Sequence, residues 1–333
     1  MVSQCEACRS VNQVQATADP EAYTSKNGLK ATRGPIILNK KRLLRPSLIL
    51  LLSLVLSACA MAPRWPAISD SATGQYMPGR WVWMDLLTPN LDASERFYKE
   101  VFDWRVESLG GREDRYLLVQ AEGRRFAGMV QYAKADEPGR KARWLGLLSV
   151  ADVASAARQV DAGGGATRLP AKPMAGRGEF AVLADPEGAV FAVIHAEGGD
   201  PPDSFPPIDS LFWMELWAGN AERMADFYRP IGGYQVKPSS TIDGVEEWHL
   251  VAFGYPRASV VQVRQNDQPS HWLPYVRVAD LSATLARVEK AGGRVLVAPS
   301  PEIRAGQIAV VVDPQGAALG LAEWHDTDAG EVR

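Results

Sequence analysis

Apolar and polar positions follow one template twice in this chain. Residues 81–98 read WVWMDLLTPNLDASERFY, and residues 211–228 read LFWMELWAGNAERMADFY, 130 positions later with no gap. Each stretch opens with a nearly continuous apolar run, the mark of a buried strand. An Asn then stands where a helix N-cap belongs, at Asn90 and Asn220. In the first copy Ala93, Phe97, Val101 and Phe102 share one helical face, which predicts a helix over 91–102. Strand-like runs separated by Gly and charged turns follow.

The same pattern recurs within each copy. Residues 145–150 predict a strand, Asp152 caps a helix over 153–162, Gly163–Gly165 ends it, and strands follow near 180–184 and 190–195. The order is βαβββ, twice per domain and four times per chain. Further matches tie the copies together. Arg115-Tyr116-Leu117-Leu118-Val119 aligns with Glu247-Trp248-His249-Leu250-Val251, and Ala127-Gly128-Met129-Val130-Gln131 with Ala258-Ser259-Val260-Val261-Gln262. Trp144 aligns with Trp272, and Asp185-Pro186-Glu187-Gly188 with Asp313-Pro314-Gln315-Gly316. The expected domains are 79–196 and 209–326, with a Pro/Gly/Asp-rich linker at 197–208 and a tail at 327–333.

Phe97-Tyr98-Lys99-Glu100-Val101-Phe102-Asp103-Trp104 and the two Asp-Pro-x-Gly turns resemble the vicinal oxygen chelate superfamily. That superfamily includes glyoxalase I, bleomycin-resistance proteins and extradiol dioxygenases. The resemblance covers nearly all of 79–325. It implies an α+β fold of two tandem glyoxalase-like domains, each of two βαβββ modules forming a curled mixed sheet, a cup. In the family a divalent metal usually sits in the cup. The resemblance puts the ligand positions at Trp83, Leu145 and Ala192 in the first copy and Trp213, Leu273 and Gly320 in the second, with Gln131 and Gln262 at a looser fourth position. These side chains lack the His, Cys or carboxylate donors that transition metals select. The expectation is no metal and no cofactor.

Strand alternation then sends Trp83 and Asp85 into one cup, and Trp213, Glu215 and Trp217 into the other. A poorly solvated carboxylate beside indoles has a raised pKa. Asp85 and Glu215 are therefore candidate acid/base groups. Two other roles stand open for them: orienting a polar or cationic ligand, or accepting structural hydrogen bonds. Trp83, Asp85, Gln131, Trp144, Trp213, Glu215, Trp217, Gln262 and Trp272 form the expected ligand-binding set. His195, His249, His271 and His325 share no place between the copies. They read as surface or core histidines, with His249 and His271 as a pair that could face the second cup.

Composition changes the picture little. The chain has 333 residues, 46% apolar and 23% charged, with a net charge of −3, ten Trp and three Cys. Nothing basic enough for nucleic acid is present. The cysteines, Cys5, Cys8 and Cys59, all precede the repeats, so no disulfide framework is expected there. Residues 40–58 read as a bacterial lipoprotein signal: Lys40, Lys41, Arg42 and Arg45, then a short apolar run, then Leu56-Ser57-Ala58 before Cys59. By that resemblance Cys59 is lipidated, and Ala60 after it points to the periplasmic face of the outer membrane. Residues 1–39 look unstructured, with initiation expected near residue 38. Residues 59–78, rich in Pro, Ala and Ser, read as a flexible tether.

Three functions are open at this level: binding of a small apolar or aromatic molecule, metal-independent lyase or isomerase chemistry, or a degenerate envelope scaffold. The first is the leading expectation. The other partners foreseen are the membrane, through Cys59, and either no second chain (a covalent pseudo-dimer) or a homodimer.

Overall fold

The computed structural model describes residues 65–111, 115–132, 141–239, 245–263 and 270–325. The signal and Cys59 lie outside the described residues.

The first domain runs β1 (Trp81–Thr88), α1 (Leu91–Val101), β2 (Arg105–Leu109), β3 (Tyr116–Ala121) and β4 (Arg124–Gln131), then β5 (Arg143–Ser149), α2 (Val153–Ala162), β6 (Ala166–Met174), β7 (Gly178–Ala184) and β8 (Val190–Ala196). The second repeats it: β9 (Leu211–Ala218), α3 (Ala221–Gly232), β10 (Gln235–Pro238), β11 (Glu247–Ala252), β12 (Tyr255–Gln262), β13 (His271–Val278), α4 (Leu281–Lys290), β14 (Arg294–Val297), β15 (Ile308–Val312) and β16 (Ala318–Glu323). This is the expected βαβββ order four times over.

Each domain is one eight-stranded mixed sheet. The first has order β2-β3-β4-β1-β5-β8-β7-β6, and the second is its counterpart. The modules join where β1 runs antiparallel to β5, and β9 to β13. Within a module the first strand runs parallel to the last, as β1 does with β4. The predicted caps form: Asn90, Asp152, Asn220 and Asp280 each accept a backbone N–H from the first helical turn, which satisfies one of the orphan donors there. Ser94, rather than Ala93, is buried with Leu91 in the first turn of α1, where it hydrogen-bonds Thr88.

Each sheet has two apolar faces. One face of every strand meets helices, and those helices come from both domains. Met84, Leu86, Phe97 and Val101 of the first domain share a core with Val276, Leu281, Val288 and Leu319 of the second. A second core joins Val153, Val160 and Phe191 to Met214, Met224 and Tyr228. Helix α1 thus packs on α4, and α2 on α3. The opposite faces form the two cups, each with its own apolar cluster. Sharing both helical cores makes the domains a covalently linked pair, and burial of this apolar surface is what holds them together.

The segment before β1 differs from the tether its composition implies. Trp65 and Ile68 pack into the apolar cluster of the first cup. Ile68 is fully buried and Trp65 partly so, and full burial of a side chain of the size of Ile contributes about 1.5–3 kcal/mol, enough to anchor a segment of otherwise Pro/Ala/Ser character.

Candidate functional site

Alternation along β1 places Trp83 and Leu87 in cup 1, and Met84 and Leu86 in the helical core. Asp85 lies between Trp83 and Leu87 on the cup side, completely buried, and its charge is matched by Arg177, which is also completely buried. Arg177 Nη1 donates to Asp85 Oδ2 at 2.8 Å, and Nη2 donates to Tyr116 Oη at 2.7 Å. Tyr116 Oη donates to Asp85 Oδ1 at 2.5 Å, and Trp83 Nε1 to the same oxygen at 2.9 Å. The guanidinium is 5.1–5.4 Å from the ring centroids of Tyr116, Trp83 and Trp65. Burial pushes the Tyr116 phenol far above its ordinary range. A buried ion pair is tolerated only when its remaining donors and acceptors are used, and here they are shared around one ring of contacts.

Cup 2 uses the same chemistry with other residues. Trp217 Nε1 donates to Glu215 Oε1 at 2.6 Å, and Tyr275 Oη donates to that oxygen at 3.0 Å. Arg304 Nη2 lies 3.3 Å from Glu215 Oε2 and 2.8 Å from Glu247 Oε1. Trp213 Nε1 donates to Ser259 Oγ at 3.0 Å. Burial raises the Glu215 carboxyl above its usual range, against the opposing charge of Arg304. Burial also works against Glu247, but the His249 hydrogen bond and the Arg304 charge outweigh it and hold that carboxyl at about 2. The two cups differ in access. The Arg304 side chain is 34% exposed and His249 31%, where Arg177 and Asp85 are at 0%. Arg304 and Ala305 have φ of 50° and 53°, a costly conformation for residues with a Cβ. They hold the guanidinium over the two carboxylates from a one-turn 3-10 helix (Arg304–Gly306). Strain of this kind concentrates at functional sites.

The tyrosines reach their carboxylates from opposite walls. Tyr116 lies across Gly128, where a Cβ would come within 1.6 Å of its hydroxyl. Tyr275 lies across Gly320, where a Cβ would come within 2.3 Å of its ring. The two glycines stand at different places in their cups: Ser259 is the counterpart of Gly128, as each pairs with its domain's carboxylate.

Strand register corrects the alignment of the repeats. Leu118 pairs with Gly128, and His249 pairs with Ser259, so Tyr116 matches Glu247, one place from the match read in the sequence. A slip of one reverses every face. With the register corrected, Glu247 and His249 face cup 2, and Trp248 packs on the helical core.

Of the expected ligand-binding set, Trp83, Asp85, Trp213, Glu215 and Trp217 lie on cup faces. Trp144 and Trp272 do not. They pair with the helix-facing Leu86 and Leu216, and their indoles donate to Tyr98 and Tyr228 in the helical cores. Gln262 accepts from Ala221 N and donates to Gly219 O, so it fixes the turn into α3. Gln131 pairs with the helix-side Thr88. His271 is buried on the cup side of β13, 5.2 Å from the Trp217 ring, so both members of the predicted pair line cup 2. His195 stacks on Tyr76 and His325 lies beside Glu323, away from both cups. The sequence reading passed over Arg177, Arg304, Glu247, Tyr116 and Tyr275. A signal existed for the arginines: one stands just ahead of the penultimate strand in each copy, in AGRGEF and in EIRAGQ.

A family-type metal does not fit these cups. The positions that would supply ligands carry indole, aliphatic side chains or no side chain at all, and Tyr275 fills the space over Gly320. Each carboxylate present already faces a guanidinium, which repels a second cation. Among the described residues no three His, Cys, Asp or Glu side chains group as a metal site.

Comparison with known proteins accords with this fold. The model of the Glyoxalase-like domain matches residues 81–194 and again 213–322. The chain is 26% identical over 249 residues to "Putative glyoxylase CFP32" of Mycobacterium tuberculosis, covering 74% of this chain and 95% of that protein. It is 27% identical over 271 residues to "Anthracycline biosynthesis protein DnrV" of Streptomyces peucetius, covering 76% and 96%. Among solved structures, an extradiol ring-cleaving dioxygenase from B. fuscum superposes with a TM-score of 0.54 at 12% identity, over 75% of this chain and 72% of that one. The 2,2',3-trihydroxybiphenyl 1,2-dioxygenase of Sphingomonas wittichii gives 0.51 at 14% identity, over 74% and 91%. At these identities the structures speak for the fold alone. With two matches that together span most of its length, the chain belongs to the Glyoxalase-like domain family and carries that domain twice.

Proposed function

We propose that this protein binds a small aromatic or apolar molecule in cup 2 without a metal, and does so as a lipid-anchored protein of the bacterial envelope. One observation carries the binding reading. The Arg304 guanidinium, which pairs with the buried Glu215 and Glu247 on the floor of cup 2, is one-third exposed, and Trp213 and Trp217 belong to the apolar cluster of the same cup, whereas the matching floor of cup 1 is sealed. A pocket with aromatic walls and a few fixed polar groups is the usual form of a small-molecule site. Two of the relatives carry names that assign them to anthracycline biosynthesis, which supports a small-molecule role. The envelope address rests on the basic and apolar runs ahead of Cys59. Fractionation with labelled palmitate tests it: label is expected in the wild type and lost in Cys59→Ser.

A second reading has one observation in its favour. Glu215 is buried with a raised pKa, as suits a general acid. In that reading cup 2 is the site of a metal-independent lyase or isomerase. Turnover of a bound compound that disappears in Glu215→Gln while binding persists would select it. Binding without product selects the first reading.

A further inference from the structure

Cup 1 is closed by the chain's own residues 65–70. Trp65 N donates to Ala175 O at 2.9 Å, and Arg177 Nε donates to Pro66 O at 3.2 Å. The Trp65 ring meets Tyr116 edge-on at 5.6 Å and lies 5.4 Å from the Arg177 guanidinium. Ile68, 2% exposed, enters the apolar cluster beside Leu169, Met174 and Phe180. Asp70 closes the rim through an ion pair of 3.0 Å with Arg125. In cup 2, by contrast, every described member of the apolar cluster belongs to the domain itself.

The segment sits on a floor whose other contacts do not involve it. Asp85, Arg177, Tyr116 and Trp83 bond one another directly, and the Arg177 Nε–H turns to the segment. Residues 65–70 add a ring, an aliphatic side chain and one carbonyl acceptor. The chain after them is pinned separately, by Gly74 N to Gly198 O and by Met77 N to Asp200 Oδ2. Lifting the segment would therefore leave a preorganised pocket with an arginine Nε–H aimed at its mouth, and preorganisation lowers the entropic cost of binding.

We propose that cup 1 is a binding site for an aromatic ring linked to a carbonyl acceptor, such as an aryl amide or ketone, and that Trp65-Pro66 is its resident, displaceable occupant. The proposal concerns cup 1 and does not depend on the reading of cup 2.

The test uses the full chain carrying Trp65→Ala and Ile68→Ala, with two probes: N-acetyl-tryptophanamide and a peptide of residues 63–71. The double variant is expected to bind the peptide one to one and at least tenfold more tightly than the wild type does, with N-acetyl-tryptophanamide displacing it. A variant that keeps the wild-type circular dichroism spectrum but binds neither probe overturns the proposal. Amide exchange on the wild type guards against a variant that fails to fold. The Trp65 amide is expected to exchange at least a hundredfold faster than that of Leu117 in β3, because the segment opens without global unfolding. Equal protection would make the segment an integral part of the domain and overturn the proposal as well.

Discussion

The Tyr98 hydroxyl donates to Asp313 of the other domain at 3.1 Å. The reciprocal pair, Tyr228 to Asp185, has the same length. The Phe-Tyr and Asp-Pro-x-Gly motifs of each copy therefore serve the opposite copy. Each Asp also accepts backbone N–H bonds that shape its own turn, and each Tyr accepts from a Trp of its own domain. The repeated motifs thus fasten the two domains together, while the cups carry the chemistry.

Burial, opposed by these hydrogen bonds, lifts the carboxyls of Asp185 and Asp313 to about 6. A free aspartate titrates near 3.9, so protonation favours the folded state. The stabilisation is complete below about pH 4 and is lost as pH rises through 6, with an upper size of about 3 kcal/mol per site. Calorimetry should show the melting temperature rising from pH 8 to pH 5. The slope should flatten in Asp185→Asn/Asp313→Asn, which removes the titrating proton at both sites and keeps an oxygen for the backbone N–H groups of each turn.

Tyr98→Phe removes the donor to Asp313 and the acceptor for Trp144 Nε1 together. The expected loss is about 1–3 kcal/mol, since buried polar groups are left without partners. Denaturant unfolding checks it. A double-mutant cycle of Tyr98→Phe with Asp313→Asn should show clear coupling, because the two groups are in contact.

Gly128→Ala drives a methyl group into the Tyr116 hydroxyl. Overpacking of this kind costs about 1–3 kcal/mol or more. Ser259→Ala, at the matching place in cup 2, meets no tyrosine and should lose only the hydroxyl's bonds to Trp213 and Glu215, about 1–3 kcal/mol without a steric clash. Comparing the two unfolding midpoints tests whether the cups truly differ in which wall holds the tyrosine.

Arg177→Met leaves Asp85 as an uncompensated buried charge, which costs about 3–5 kcal/mol. Arg177→Met/Asp85→Asn should recover part of that loss. Arg304→Met should cost less than Arg177→Met, because the Arg304 side chain is one-third exposed and solvent already screens the pair.

Much of this was legible in the sequence. The repeat and the caps follow from periodicity, and the inward set Trp83, Asp85, Trp213, Glu215 and Trp217 from strand alternation once the family resemblance fixes which face is the cup. The errors have particular causes. Trp144 belongs to the expected ligand-binding set, yet a residue paired with helix-facing Leu86 must share that face. Tyr116 and Glu247 were not recognised as equivalents because the loops masked a one-residue slip, which only the strand register reveals. Arg177 and Arg304 differ in spacing by three from the opening repeat, 127 residues against 130, so gapless matching passed over them. Composition hid the strap at 65–70, because two anchoring side chains among small residues and prolines do not change an average.

The central claim is metal-free binding of an aromatic molecule in cup 2, and a fluorescence titration tests it most directly. A panel of small aromatic compounds would be titrated into the full chain in the presence of EDTA, following tryptophan emission. The account predicts that at least one compound quenches saturably, one per chain, and that Trp217→Ala abolishes the quench. Quenching that appears only when a divalent metal is restored, or that persists unchanged in Trp217→Ala, would contradict it.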